Sequence, residues 1–173
     1  MTLAKSVQML LLLACLALAP AQAARHWEGR VTHVSDGDTL WVQALGGGEA
    51  QKLRLEGLDA PELCQPWGIE AYRALQGWLL GQVVRVMSTG RDAYGRRLSQ
   101  LQFQGQDVGL WLVLQGHAWS GRFRQQPGRY DQAQRLAQSQ RRGLFSQSGP
   151  VLTPRQFRQR HGACRPPQTG HPG

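Results

Sequence analysis

Between Trp27 and Leu58 apolar and polar residues alternate in three short runs, each ended by glycine or aspartate. Alternation at a period of two is the signature of half-buried strands, and chains with this spacing fold as meanders or small barrels. Trp27 to Val34 reads as the first strand, with Trp27, Val31 and Val34 as its apolar residues. Ser35-Asp36-Gly37-Asp38 is turn chemistry, because Gly permits positive φ and Asp side chains cap nearby backbone groups. Thr39 to Leu45 resumes a strand, Gly46-Gly47-Gly48 closes a hairpin, and Gln51 to Leu58 is the third strand, with Leu53 and Leu55 on one face.

The next segment changes period. Pro66 to Leu80 carries Ile69, Tyr72, Ala74, Leu75, Trp78 and Leu79 at spacings of three and four, which predicts a helix with Gly81 beyond its end. Val83 to Ser88 and Leu98 to Phe103 are two further strands, joined by a polar loop that carries Arg91 to Arg96. Val108 to Gln115 reads as a short helix with Leu110, Trp111 and Leu114 inward and Gly116 as its stop; Arg129 to Arg142 reads as a third. Five strands, one helix between strands three and four, then two helices: this order predicts an α+β, mainly β chain, a five-stranded OB-type Greek-key barrel with three helices.

The 173 residues allow one domain with extras at its ends. Lys5, the apolar run Met9 to Leu18 and Ala21-Gln22-Ala23 read as a signal peptide over residues 1–23 that places the mature protein in the periplasm or outside the cell. A lipoprotein site at Leu12-Leu13-Ala14-Cys15 fits less well, since the apolar run continues past Cys15 and Leu13 is unusual there. Residues 25–146 form the expected barrel domain and 147–173 a Pro/Arg-rich extension, partly disordered over its last ten residues, with one helical turn near Arg155 to Arg160. Cleavage removes Cys15 and leaves Cys64 and Cys164, an even count in an oxidising compartment. A disulfide between them would stabilise by ~4 kcal/mol in the chain-entropy model; the alternative is two free thiols.

The net charge is +9, and among 20 basic residues only Lys5 and Lys52 are lysines. Arginine's planar fork suits phosphate, so a polyanion is the expected partner, DNA and/or RNA. Yet four of the 11 acids fall in two short pieces, Asp36-Gly37-Asp38-Thr39 and Asp59-Ala60-Pro61-Glu62. Acids concentrated where a cationic chain must approach phosphate work against repulsion, and a bound cation resolves the conflict. Asp38 and Asp59, at the ends of neighbouring strands, are candidate ligands for Ca²⁺, Mg²⁺ or another divalent cation. Pro61 stiffens the backbone beside Glu62, a carboxylate able to take a proton from an attacking water. Arg54 and Arg96 are candidates to clamp one phosphate and neutralise its growing charge.

Each piece alone is a weak signal, and the specificity lies in their joint order. D-G-D-T-L-W-V, R-L-E-G-L-D-A-P-E and D-A-Y-G-R, in that sequence, resemble the staphylococcal nuclease (thermonuclease) family over roughly Val31 to Phe145. The resemblance implies an OB-type barrel with three helices that hydrolyses DNA and RNA with Ca²⁺. It implies that Asp38 and Asp59 are the metal carboxylates, that Ala60 offers a backbone carbonyl to the metal, and that Glu62 is the general base. It further implies that Arg54 and Arg96 bind the phosphate, that Tyr94 lies near a terminal phosphate, and that the products carry 3′-phosphate ends.

The chain departs from the family pattern in places. Ala93 stands where a basic residue is usual, with Arg91 and Arg97 close enough to compensate; Trp119 or Phe123 would have to replace the family's base-packing tyrosines. Trp41, Trp78 and Trp111 fit core patterns, and the five histidines show no zinc-like spacing, so a surface position is the default for each. Asp36 is expected to shape its turn and Asp92 to brace the Arg96 loop. The rival function is a non-catalytic nucleic-acid-binding module of the same fold, whose members lose the acids or arginines that this chain keeps; a third class, a cationic surface-interaction protein, would need neither Glu62 nor Arg96. A monomer is expected.

Overall fold

A computed structural model describes residues 25–121, 126–162 and 164. The proposed signal peptide, Phe123 and residues 165–173 lie outside the described residues. Five strands close a barrel: β1 (Arg25–Val34), β2 (Thr39–Ala44), β3 (Gln51–Leu55), β5 (Val83–Arg91) and β6 (Arg97–Phe103). Antiparallel pairs link β3 to β2, β2 to β1, β1 to β5 and β5 to β6, and a parallel pairing of β3 with β6 completes the ring. Closure leaves these strands without open edges. The short strands β4 (Leu58–Asp59) and β8 (Trp119–Ser120) form a separate two-stranded ribbon, and β7 (Gln106–Asp107) pairs antiparallel with the end of β6.

The barrel is filled by Val31, Val34, Leu40, Val42, Leu53, Leu55, Val84, Val86 and Leu101, all buried. These are the inward members of the alternating pattern. Each aliphatic side chain so buried contributes about 1.5–3 kcal/mol against exposure. The mainly β, OB-type barrel expected from the alternation is the fold of the chain.

Among the described residues four α-helices flank it: α1 (Gly68–Leu79), α2 (Val108–Leu114), α3 (Asp131–Ser139) and α4 (Pro154–His161). The fourth exceeds the single turn expected in the extension. It starts at a capping box, with Thr153 and Gln156 exchanging side-chain and backbone hydrogen bonds and Pro154 in the first turn. Pro154 and Phe157 are buried against the domain.

The helix faces differ from the large-residue stripes. In α1 the buried positions are Gly68, Ala71, Leu75 and Leu79, while Ile69 is exposed. The barrel approaches this helix so closely that small residues take the contact, and bulk was a poor guide to facing. In α2 the buried residues are Val108, Gly109, Leu112 and Val113; Leu110 faces solvent, and Trp111 and Leu114 only edge the core. The expected third strand also breaks early. Gly57 adopts φ +79°, a turn conformation open to glycine, and separates β3 from β4.

Candidate active site

Four segments of the barrel end meet in one cleft of about 420 Å³, lined by Asp36, Asp38, Thr39, Arg54, Asp59 to Glu62, Tyr94 and Arg96, with Arg158 reaching in from α4. The first segment is the β1–β2 turn. Ser35 and Asp36 donate their backbone N–H groups to the Thr39 carbonyl, and Asp36 Oδ1 accepts from the Asp38 N–H at 3.0 Å. Asp36 therefore shapes the turn, as its sequence position predicts. Gly37 packs under the second motif: a Cβ there would stand 2.7 Å from Ala60 Cβ and 3.0 Å from Ala71 Cβ. The glycine lets the two acidic pieces touch.

Asp38 is only 5% exposed. Its Oδ2 accepts the Ala60 N–H at 2.7 Å and its Oδ1 accepts the Thr39 hydroxyl at 3.1 Å. Thr39 pairs in register with Arg54, so β2 and β3 set the arginine beside the turn. The Arg54 guanidinium lies between both carboxylates, with Nη1 against Asp38 Oδ2 and Nη2 donating to Asp59 Oδ1 at 2.7 Å. One guanidinium thus bridges Asp38 and Asp59.

Burial raises the carboxyls of Asp36 and Asp59 above the ordinary range, with Arg54 pulling both back down; Glu62 adds to the rise at Asp59 and Arg158 opposes it. Burial likewise lowers Arg54, although Asp59 and Asp36 hold its charge. A site that makes its carboxylates costly to ionise is one that gains from added positive charge.

The parallel pairing of β3 with β6 aligns Leu53 with Arg97 and Arg54 with Leu98, which brings the β5–β6 turn beside Arg54. Asp92 organises that turn. Its Oδ1 accepts the backbone N–H groups of Tyr94 and Arg96 at 2.9 Å each, and its Oδ2 accepts Arg96 Nε at 2.6 Å. Desolvation opposes them, but these bonds together hold the Asp92 carboxyl below the usual range. Arg96 is left half-exposed, 5.5 Å over the Tyr94 ring, and Tyr94 itself is 84% exposed. Lys52, Arg91 and Arg97 line an adjoining depression that shares Arg54, Tyr94 and Arg96 with the cleft. The basic residues flanking Ala93 thus extend the cationic surface.

Glu62 stands on the loop after β4. Its carboxylate pairs with Arg158, and its backbone N–H donates to Gln65 Oε1 at 3.2 Å. Cys64 is joined to Cys164 by a disulfide. Arg158 carried no signal in the motifs, since it lies far along the chain in a segment that reads as an extended arm.

Two aromatic expectations change. Trp119 is 7% exposed, sits in β8 and packs edge-on against Phe145, so it is core and not a base platform. His117 is no surface histidine: it lies between Trp67 and Trp111, and its Nδ1 accepts the Trp67 indole N–H at 3.3 Å.

The oxygens that could hold a hard cation are those of Asp38 and Asp59, both paired with Arg54 in this structure, and the Ala60 carbonyl. They lie beside an open cleft with room for water and phosphate. Among the described residues no three His, Cys, Asp or Glu side chains cluster as a self-sufficient metal cage.

A closed five-stranded barrel carrying paired carboxylates and cleft arginines at one end defines an OB-type barrel with a cleft of mixed charge. Residues 52–147 match the model of the family described as staphylococcal nuclease homologue. A Haemophilus influenzae protein described as an uncharacterized endonuclease is 36% identical over 129 residues, covering 75% of this chain and 71% of its own. An Escherichia coli O157:H7 protein of the same description is 34% identical over 124 residues, 71% of this chain and 80% of its own. A Shigella flexneri protein described as a micrococcal nuclease is 31% identical over 131 residues, 69% of this chain and 74% of its own. The chain belongs to the staphylococcal nuclease family.

Proposed function

We propose that the protein is an exported, metal-dependent nuclease that hydrolyses phosphodiester bonds of DNA and/or RNA as a monomer. The observation that carries this reading is the convergence of Asp38, Arg54, Asp59, Glu62 and Arg96 from separate segments onto one cleft. A structural or purely cationic surface has no use for Glu62 beside paired carboxylates.

Asp38, Asp59 and the Ala60 carbonyl would hold Ca²⁺, or Mg²⁺ or another divalent cation, which when bound supplies positive charge to the phosphate oxygens. Glu62 accepts a proton from the water that attacks phosphorus. The new bond joins the water oxygen to phosphorus, and the bond to the 5′ oxygen breaks; that oxygen takes a proton from solvent and leaves as a 5′-hydroxyl, and the other product keeps a 3′-phosphate. Arg96, held at Nε by Asp92, presents its remaining N–H groups to the equatorial oxygens. Arg54 neutralises the buried acids and closes the arginine side of the cleft. Tyr94, exposed beside Arg96, borders the terminal phosphate.

Export is supported by the N-terminal sequence and by the Cys64–Cys164 bond, which belongs to an oxidising compartment. Among the described residues no helix is long and apolar enough to cross a membrane. The test is cleavage of plasmid and oligonucleotide by mature protein, in Ca²⁺ and in chelator, with end-group analysis. Cutting that stops in chelator and leaves 3′-phosphate ends supports the reading; no cutting with any divalent cation rejects it.

A further inference from the structure

Helix α4 lies beyond residues 52–147, the span that matches the family, yet it delivers a side chain to the cleft. Its placement is built, not incidental. Before the helix, the Leu152 carbonyl accepts Gln65 Nε2 at 2.7 Å, and the same Gln65 side chain accepts the Glu62 N–H through Oε1. After the helix, Cys164 is bonded to Cys64. Within it, Pro154 and Phe157 are buried. The arm is therefore fastened on both sides of Arg158 to the residues that directly follow Glu62.

The helix holds three arginines and no acid, so Arg158 finds its carboxylate across the cleft in Glu62. Both partners keep solvent contact, so solvent screens the pair and it contributes little to stability. A phosphodiester can take the same guanidinium with two parallel hydrogen bonds, a stronger and more directional contact. The cleft lining sets four carboxylates, Asp36, Asp38, Asp59 and Glu62, against three guanidiniums, Arg54, Arg96 and Arg158. With the first two committed to Asp38, Asp59 and Asp92, Arg158 is the guanidinium whose partner is the proposed base.

We propose that Arg158 is a substrate-positioning residue: the disulfide-fastened α4 holds it over the cleft, where it passes from Glu62 to a backbone phosphate of the entering nucleic acid. The exchange orders the strand and frees the Glu62 carboxylate in one event. This rests on the nuclease reading above.

The test is binding of a labelled single-stranded oligodeoxynucleotide to oxidised mature protein, in chelator so that it stays uncut, across a salt series. Each lost phosphate contact makes the slope of log K against log salt shallower by about 0.7 for single strands. Arg158→Gln should show that loss, with KM raised in the Ca²⁺ cleavage assay and kcat little changed; Arg158→Lys should keep most of the slope. A Cys64→Ser/Cys164→Ser variant, checked for folding by its thermal melt, should show the same loss, and adding Arg158→Gln to it should change nothing more. An Arg158→Gln slope equal to wild type would overturn the proposal, as would tighter binding or faster cleavage, which would mark Arg158 as an inhibitory clamp. Wild-type protein that cleaves no oligonucleotide with any divalent cation would overturn the nuclease reading itself.

Discussion

The backbone N–H of Ala60 donates to the Asp38 carboxylate at 2.7 Å and fastens together two motifs 22 residues apart. Around this bond the acidic half of the cleft is assembled. It satisfies a buried acceptor, fixes the Asp38 rotamer and orients the peptide before Glu62. Asp38→Ala leaves the Ala60 N–H and the Thr39 hydroxyl without that partner, and removes one of the two carboxylates that pair with the buried Arg54. The expected loss of stability is about 1–3 kcal/mol in urea denaturation. The Ca²⁺ concentration for half-maximal cleavage should rise by at least ~10-fold, the cost typical of losing even an outer partner of a metal ligand. An unchanged Ca²⁺ titration removes Asp38 from the ligand set.

Gly37 permits the approach that the Ala60 bond requires. In Gly37→Ala the new methyl would stand 2.7 Å from Ala60 Cβ, so the turn and the Asp59–Ala60 segment must separate. Overpacking of this kind costs about 1–3 kcal/mol. Denaturation midpoints measure it, and cleavage should fall with stability because the carboxylates move. A variant as stable and active as wild type would mean that the contact tolerates a methyl.

His117 gives a pH dependence away from the cleft. Burial between Trp67 and Trp111 lowers its imidazole below the ordinary 6.5, and Nδ1 already accepts the Trp67 N–H, so the folded protein holds it neutral. The unfolded chain binds the proton near 6.5, which gives it more protons than the fold over the interval just below. Stability is full above that value and falls with pH down to the lowered folded value. His117→Gln, which keeps an acceptor without titrating, should flatten this part of the profile in denaturation at mildly acidic pH. Equal slopes in both proteins would contradict the assignment.

The barrel was legible because alternation is a direct consequence of the pleat: Leu40, Val42, Leu53 and Leu55 fall inside as their spacing requires. The turn roles of Asp36 and Asp92 were legible for a similar reason, since both act on backbone groups within four residues. Helix orientation was not, because Ala71 rather than Ile69 meets the barrel, and closeness of approach is a tertiary property. Trp119 and His117 were misjudged because packing across the fold, not local pattern, decides whether an aromatic group is covered. Arg158 was invisible altogether: its role depends on a helix, a buried Phe157 and a bond to Cys64 that act over 96 residues of separation from Glu62.

Glu62 is the residue on which the proposed hydrolysis most depends. The decisive measurement is single-turnover cleavage of an oligonucleotide by Glu62→Gln and wild-type protein at saturating Ca²⁺, with binding measured in parallel. The account predicts retained binding and a rate lower by ~10²–10⁴, the usual contribution of a general base. A variant that cleaves at nearly the wild-type rate would contradict it.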